Sequence, residues 1–230
     1  MQIHGFNKTT LLDYPGIVGC TVFTGFCNFR CPYCQNADLV LSPDSQPVIP
    51  EEEIFTHLRK RKGITKGICI SGGEPTLQPD LEDFILKCRE TGLLVKLDTN
   101  GYRPEVLKGL LEKELLDYVA MDIKAPLSSY EKVAGVKLDT GKIKESVELI
   151  KKSGIEYEFR TTVVRELHGK EDFLQIGELL KGARKYFLQG YVDSERVIRP
   201  GFTSYSYEEM CAFRDLLNEY IEYVEVRGVE

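Results

Sequence analysis

Apolar and polar positions along the chain change period in a regular way, and those changes outline the fold. Residues 18–23 form a run rich in β-branched and aromatic side chains and read as a first buried strand. Similar short apolar runs recur at 67–70, 94–97, 118–121, 157–164 and 185–189. Helical spacing fills the gaps between them. Pro50 opens a helix to about residue 61, with Glu51, Glu52 and Glu53 in its first turn, where acidic groups suit the helix dipole; Gly63 ends it. Residues 79–90 place Leu81, Phe84, Ile85 and Cys88 on one face. Further helices are predicted at 104–114, at 142–152 (apolar face Ile143, Val147, Ile150; stop at Gly154), at 171–180 and at 207–220, with a small tail strand at 223–226.

Six strand-then-helix units imply the α/β class with a parallel sheet and right-handed crossovers. Two arrangements satisfy the pattern: an open doubly wound sheet or a curved partial barrel. Both bind ligands at the carboxyl ends of their strands. Cys31, Glu74, Asp98, Asn100, Asp122 and Lys124 all fall just after predicted strands, so the chemistry is expected on one rim.

Composition narrows the class. With 230 residues, 42% of them hydrophobic, one domain over 1–230 is expected. No Gly/Ser/Pro-rich stretch or solenoid repeat interrupts the chain, and no apolar run has the length of a membrane span. The first residues lack the basic-then-apolar order of a secretory signal, so a cytoplasmic protein is expected. A net charge of −6 gives no reason to expect nucleic acid as the main partner. Seven cysteines, an odd number, suit free thiols or metal ligands better than a disulfide scaffold.

Three of those cysteines stand in one run, Cys27-Asn28-Phe29-Arg30-Cys31-Pro32-Tyr33-Cys34. A redox dithiol of Cys31 and Cys34 leaves Cys27 unexplained. A structural zinc site needs four ligands, and His4 and His57 lie outside ordinary local spacing. An iron–sulfur cluster suits the run better: three thiolates bind three irons of a [4Fe–4S] cluster and leave the fourth open to another ligand. Cys20, Cys69, Cys88 and Cys211 read as structural.

The C-x3-C-x2-C run with an aromatic before its last cysteine, followed by Gly72-Gly73-Glu74-Pro75 after the second predicted strand, resembles the radical S-adenosylmethionine (SAM) superfamily. The resemblance continues through Leu12-Asp13-Tyr14-Pro15-Gly16, Asp98-Thr99-Asn100-Gly101, Asp122-Ile123-Lys124 and Arg160-Thr161-Thr162-Val163. It covers roughly residues 3 to 190 and points to the glycyl-radical-enzyme activating branch. Within that branch the chain most resembles the activating proteins of anaerobic ribonucleoside-triphosphate reductase, which are related to pyruvate formate-lyase activating enzyme.

The resemblance implies a partial (β/α)6 TIM-like barrel with parallel strands. It implies a single [4Fe–4S] cluster on Cys27, Cys31 and Cys34, with SAM on the open iron. Reductive cleavage of SAM would then lead to hydrogen abstraction from a glycine of a partner enzyme, with a flavodoxin or ferredoxin as electron donor. It places Tyr33, Gly72, Gly73 and Glu74 against SAM. Asp98 and Asn100 are either SAM contacts or an Asx turn before Gly101. Lys124, fixed by Asp122, either meets the methionyl carboxylate or a peptide substrate, or forms an ordinary loop ion pair. Arg160 is expected near the start of its strand, facing SAM's carboxylate or solvent. Asp13 and Gly16 either border the incoming glycyl loop or make a local turn. Gln35 stands where family members commonly have histidine. Two rival functions stay open: a radical SAM enzyme acting on a small molecule, and a non-catalytic iron–sulfur electron carrier.

Overall fold

The computed structural model describes residues 1–229. Its elements, in chain order, begin with β1 (Ile3–Thr10), β2 (Gly19–Thr24), α1 (Ala37–Leu41), α2 (Glu51–Lys60) and β3 (Gly67–Gly72). These lead to α3 (Leu81–Glu90), β4 (Leu94–Thr99), α4 (Pro104–Glu112), β5 (Tyr118–Asp122) and α5 (Tyr130–Ala134). The chain ends with α6 (Thr140–Lys152), β6 (Glu156–Val163), α7 (Lys170–Leu179), β7 (Lys185–Gly190), α8 (Tyr207–Leu217) and β8 (Tyr223–Arg227). Among the described residues, no helix is long and apolar enough to cross a membrane.

The chain forms two compact units. The first comprises residues 1–28, 38–99 and 103–119; the second comprises 29–37, 100–102 and the described residues from 120 onward. In the first, β1 pairs antiparallel with β2, and β2, β3 and β4 run parallel in chain order. The Asp117 amide, just before β5, bonds the Val95 carbonyl at 2.9 Å. In the second unit β6, β7 and β8 are parallel, again in chain order. The Ile123 amide, just past β5, bonds the Arg160 carbonyl at 2.8 Å. A doubly wound sheet reverses its strand order at a switch point, whereas a barrel wall keeps it. Within each unit the parallel strands follow chain order without reversal.

The parallel strands are buried on both faces, which is why their sequences read as apolar runs. In the first unit Val22, Ile68, Ile70, Val95 and Leu97 are fully buried, with Ile54, Phe84 and Ile85 inside from the helices. In the second, Phe159, Leu188, Ile143, Val147 and Ile176 have the same role, and the Phe173 and Phe213 rings of α7 and α8 lie 4.5 Å apart.

Several boundaries differ from the sequence reading, and the differences matter for the rim. β3 runs on through Ser71 to Gly72, β4 through Asp98 to Thr99, and β5 ends on Asp122 itself. Those polar residues are therefore last strand residues, and the pleat decides which face they take. Arg160 is fifth of eight residues in β6, mid-strand and not near its start, because the strand begins at Glu156. The last helix stops at Leu217, where the chain tightens and the Tyr220 amide returns to the Leu217 carbonyl.

After β4 the chain turns through Gly101, whose φ of +73° favours glycine. The buried Ser146 hydroxyl of α6 donates to the Gly101 carbonyl at 2.6 Å and holds this turn from beneath. Removing that donor in Ser146→Ala is expected to lower unfolding stability by about 1 to 2 kcal/mol. Urea denaturation would measure it as a lower midpoint at unchanged slope.

Candidate active site

In the first unit the site is built where β2 and β3 end. The Gly73 amide donates to the Thr24 carbonyl, and the Glu74 amide to the Phe26 carbonyl, both at 2.8 Å. Gln78 Nε2 donates to the Gly25 carbonyl at 3.0 Å, and the Phe26 amide to the Leu39 carbonyl at 2.8 Å. The segment leading into Cys27 is thus tied down backbone to backbone, with Phe26 held at φ +69°. The glycine pair makes this approach fit. Gly72 has φ +121°, and a Cβ there would lie 2.3 Å from the Thr24 nitrogen; a Cβ on Gly73 would lie 2.0 Å from the Phe26 oxygen.

Glu74 is fully buried. Its Oε1 accepts from the Thr76 amide at 3.1 Å, the Thr76 hydroxyl at 2.5 Å and the Thr99 hydroxyl at 2.7 Å. The carboxylate therefore caps the 3-10 turn Pro75–Leu77 and ties it to the end of β4. Asp98 accepts from Ser71 Oγ at 3.0 Å through one oxygen and pairs with Lys96 Nζ at 2.5 Å through the other. Lys96, which the sequence reading passed over, is 1% exposed. Asp13 Oδ2 accepts from the Thr21 hydroxyl at 2.5 Å, and Gly16 takes φ +72° in the turn that follows.

The second unit holds the rest of the cysteine run. The Arg30 amide bonds the Ala134 carbonyl at 2.8 Å, and a Cβ on Gly135 would lie 2.3 Å from the Arg30 oxygen. The Cys34 amide turns back to the Cys31 carbonyl at 3.0 Å. The Arg199 and Ile198 amides bond the Pro32 and Cys34 carbonyls at 2.7 and 3.2 Å, and Gln35 Nε2 reaches the Val192 carbonyl at 3.1 Å. Phe29 is buried against the Tyr102 and Tyr130 rings. Asn100 Oδ1 accepts from the Tyr102 amide at 3.0 Å, an Asx turn before Gly101.

Charge in this unit is paired in sequence. Asp122 accepts from Lys124 Nζ at 3.0 Å and from Arg160 Nε at 2.9 Å. Arg160 also lies 3.9 Å from Glu158, a buried carboxylate that Arg227 approaches to 3.5 Å. Burial works against the Lys124 ammonium, but Asp122 together with the neighbouring Tyr33 and Cys31 outweighs it and holds the pKa well above the usual lysine value. Burial pushes the Cys31 thiol up to about 11. His168 is neutral, its pKa lowered by burial: Nδ1 accepts from the Val164 amide at 3.0 Å, so Nε2 donates to the Lys124 carbonyl at 2.8 Å. This histidine carried no ligand spacing in the sequence; its part is to fix the backbone of Lys124.

Two observations bear on what the site can hold. Cys27, Cys31 and Cys34 are in no disulfide, the first and last half-exposed, and a run of three thiols suits an iron–sulfur cluster. Among the described residues no three His, Cys, Asp or Glu side chains are gathered to hold a metal ion; such ligands are commonly drawn together by the metal as it displaces their protons. The Tyr33 hydroxyl is buried with no hydrogen-bond partner, an orphaned polar atom one residue from Cys34.

Comparison with known proteins follows this geometry. The family model of the radical SAM superfamily matches residues 21–180. A Methanocaldococcus jannaschii protein named for glycyl-radical enzyme activation is 34% identical over 82% of this chain and 79% of its own. The pyruvate formate-lyase-activating enzyme of Clostridium pasteurianum is 30% identical over 80% of this chain and 77% of its own. The crystal structure of Streptococcus suis SuiB bound to S-adenosylmethionine superimposes with a TM-score of 0.67 at 14% identity, over 88% of this chain and 48% of that one. This chain thus spans about half the length of SuiB, and that likeness is one of fold.

Two substitutions test the local geometry. Gly73→Ala is expected to cost about 3 kcal/mol through its backbone clash. Gly92→Ala, at φ +83° with open space around it, pays only for backbone strain, about 1 kcal/mol. The two melting temperatures should separate accordingly. Tyr33→Phe deletes a hydroxyl that bonds nothing in the protein and is expected to leave the melting temperature unchanged or raise it.

Proposed function

We propose that this chain, which belongs to the radical SAM superfamily and is an enzyme of its glycyl-radical-enzyme activating type, installs the glycyl radical of an anaerobic ribonucleoside-triphosphate reductase. In this reading a flavodoxin or ferredoxin supplies the electron, and the setting is the cytoplasm, where seven cysteines outside any disulfide stay reduced. The observation that carries the reading is the three-thiol run on a loop whose entry is locked to the Gly72-Gly73-Glu74 turn.

The family works with a [4Fe–4S] cluster and SAM. Together they supply one-electron chemistry that ends in hydrogen abstraction from a glycine α-carbon. Cys27, Cys31 and Cys34 would hold the cluster, as thiolates. The run spans eight residues, so the chain itself limits how far apart the sulfurs can lie. Tyr33 would lie against SAM and give its hydroxyl the partner it lacks.

Gly72 and Gly73 would present backbone to SAM. Glu74 acts beneath them by holding the turn in shape, since its carboxylate serves Thr76 and Thr99. Asp98 would accept from SAM's ammonium or ribose hydroxyls, and Asn100 sets the turn beside it. Lys124 would meet a carboxylate, of SAM or of a peptide. Arg160, engaged by Asp122 and near Glu158, orients Asp122. No side chain here needs to act as a general base, because a hydrogen atom leaves with its electron.

The test is anaerobic reconstitution with iron and sulfide, then EPR of the reduced protein with and without SAM, with 5′-deoxyadenosine assayed in the same tube. The expected result is a [4Fe–4S]+ signal that changes with SAM, formation of 5′-deoxyadenosine, and loss of both in Cys27→Ala, Cys31→Ala and Cys34→Ala. Mixing with the reductase should then give a glycyl-radical EPR signal. A cluster indifferent to SAM would overturn the radical mechanism in favour of an electron carrier. A radical formed on a pyruvate formate-lyase and not on the reductase would overturn the partner alone.

A further inference from the structure

Lys96 is a lysine in the middle of a parallel strand, 1% exposed, and such a group persists only when its charge is matched. Its surroundings are ordered by the pleat. Residues two apart share a sheet face, so Lys96 and Asp98 of β4 lie on one face, and so do Cys69 and Ser71 of β3. The register pairs Cys69 with Lys96. The result is a square of polar side chains. Lys96 Nζ lies 2.5 Å from Asp98 and 3.8 Å from the Cys69 sulfur, and Ser71 Oγ lies 3.0 Å from the second Asp98 oxygen. The Tyr118 ring lies 5.8 Å from the ammonium.

Exposure rises in one direction across this square. The Lys96 side chain is 2% exposed and that of Asp98 14%, so only the carboxylate end comes toward the rim. A carboxylate with one oxygen on a buried ammonium and the other on a hydroxyl has a fixed plane and stays ionised.

We infer that Lys96 is a positioning residue for cofactor binding: from inside the sheet it holds Asp98 ionised and in one orientation, as a fixed acceptor for a donor group of SAM. The inference rests on the reading above that Asp98 contacts SAM. Lys96 does not touch the cofactor and acts through the carboxylate. Two charges taken from water for stability alone usually return little against an apolar pair of similar volume, which gives the pair a reason to exist at the rim.

The experiment is a double-mutant cycle on the full, anaerobically reconstituted protein with Lys96→Met, Asp98→Asn and the two combined. The readouts are the SAM dissociation constant, from the SAM-induced change in the EPR spectrum of the reduced cluster, the iron content, and SAM cleavage at saturating SAM. Lys96→Met is expected to weaken SAM binding about tenfold, the scale of a lost charge-assisted hydrogen bond, with iron content and saturated cleavage retained. In the Asp98→Asn background the same substitution should add nothing.

An unchanged affinity in Lys96→Met, or a full further loss in the double variant, would overturn the inference. Wild-type affinity in Asp98→Asn would instead remove Asp98 from the SAM site and take the inference with it. The double variant leaves no buried unpaired charge, so its comparison with Asp98→Asn decides the matter even where Lys96→Met alone folds poorly.

Discussion

Everything at the rim of the first unit depends on one backbone contact: the end of β3 pressed against the start of the cysteine loop. Two hydrogen bonds, from Gly73 to Thr24 and from Glu74 to Phe26, close it. They form only because two successive residues lack a Cβ. Once they form, the geometry propagates. Glu74 is carried inward, where it caps the next turn and reaches Thr99, so the ends of β3 and β4 are tied by one buried carboxylate. A glycine pair usually read as room for a ligand is here first of all room for the chain itself. Whatever binds at this rim meets a surface already set by that contact.

In the second unit, order at the rim comes from charge. Lys124, Asp122, Arg160, Glu158 and Arg227 alternate in sign, each within salt-bridge distance of the next. In a partly buried setting an unmatched member would be costly, so each charge fixes its neighbour. His168, neutral and held in one tautomer, pins the Lys124 backbone from the other side.

The apolar runs that announce β2 to β7 were legible because those strands are covered on both faces, so burial wrote itself into the sequence without interruption. β1 was missed for the opposite reason. Its sequence, IHGFNKTT, is half-exposed and mostly polar, with no alternation to mark a strand. The cysteine run and the Gly-Gly-Glu-Pro turn were visible as motifs, yet the motif did not show that Glu74 faces inward; that follows from which hydroxyls lie nearby, Thr99 among them, 25 residues on. Lys96 and His168 were passed over in the sequence. A lysine in an apolar run, two residues before an aspartate, is a pattern that could have been noticed, since a strand brings those two side chains to one face. His168 had none, because its partners, Val164 and Lys124, are backbone atoms.

β1 has a further consequence. A parallel sheet that began at β2 would offer a row of unpaired amides and carbonyls to any passing strand. β1 runs antiparallel along that margin, with register shifts between Ile3 and Gly5 and between Asn7 and Thr10 and with Lys8 exposed upon it. Irregular pairing and an outward lysine are what proteins use to keep an edge from recruiting its own kind. The least conspicuous strand in the sequence is therefore the one that covers the margin of β2.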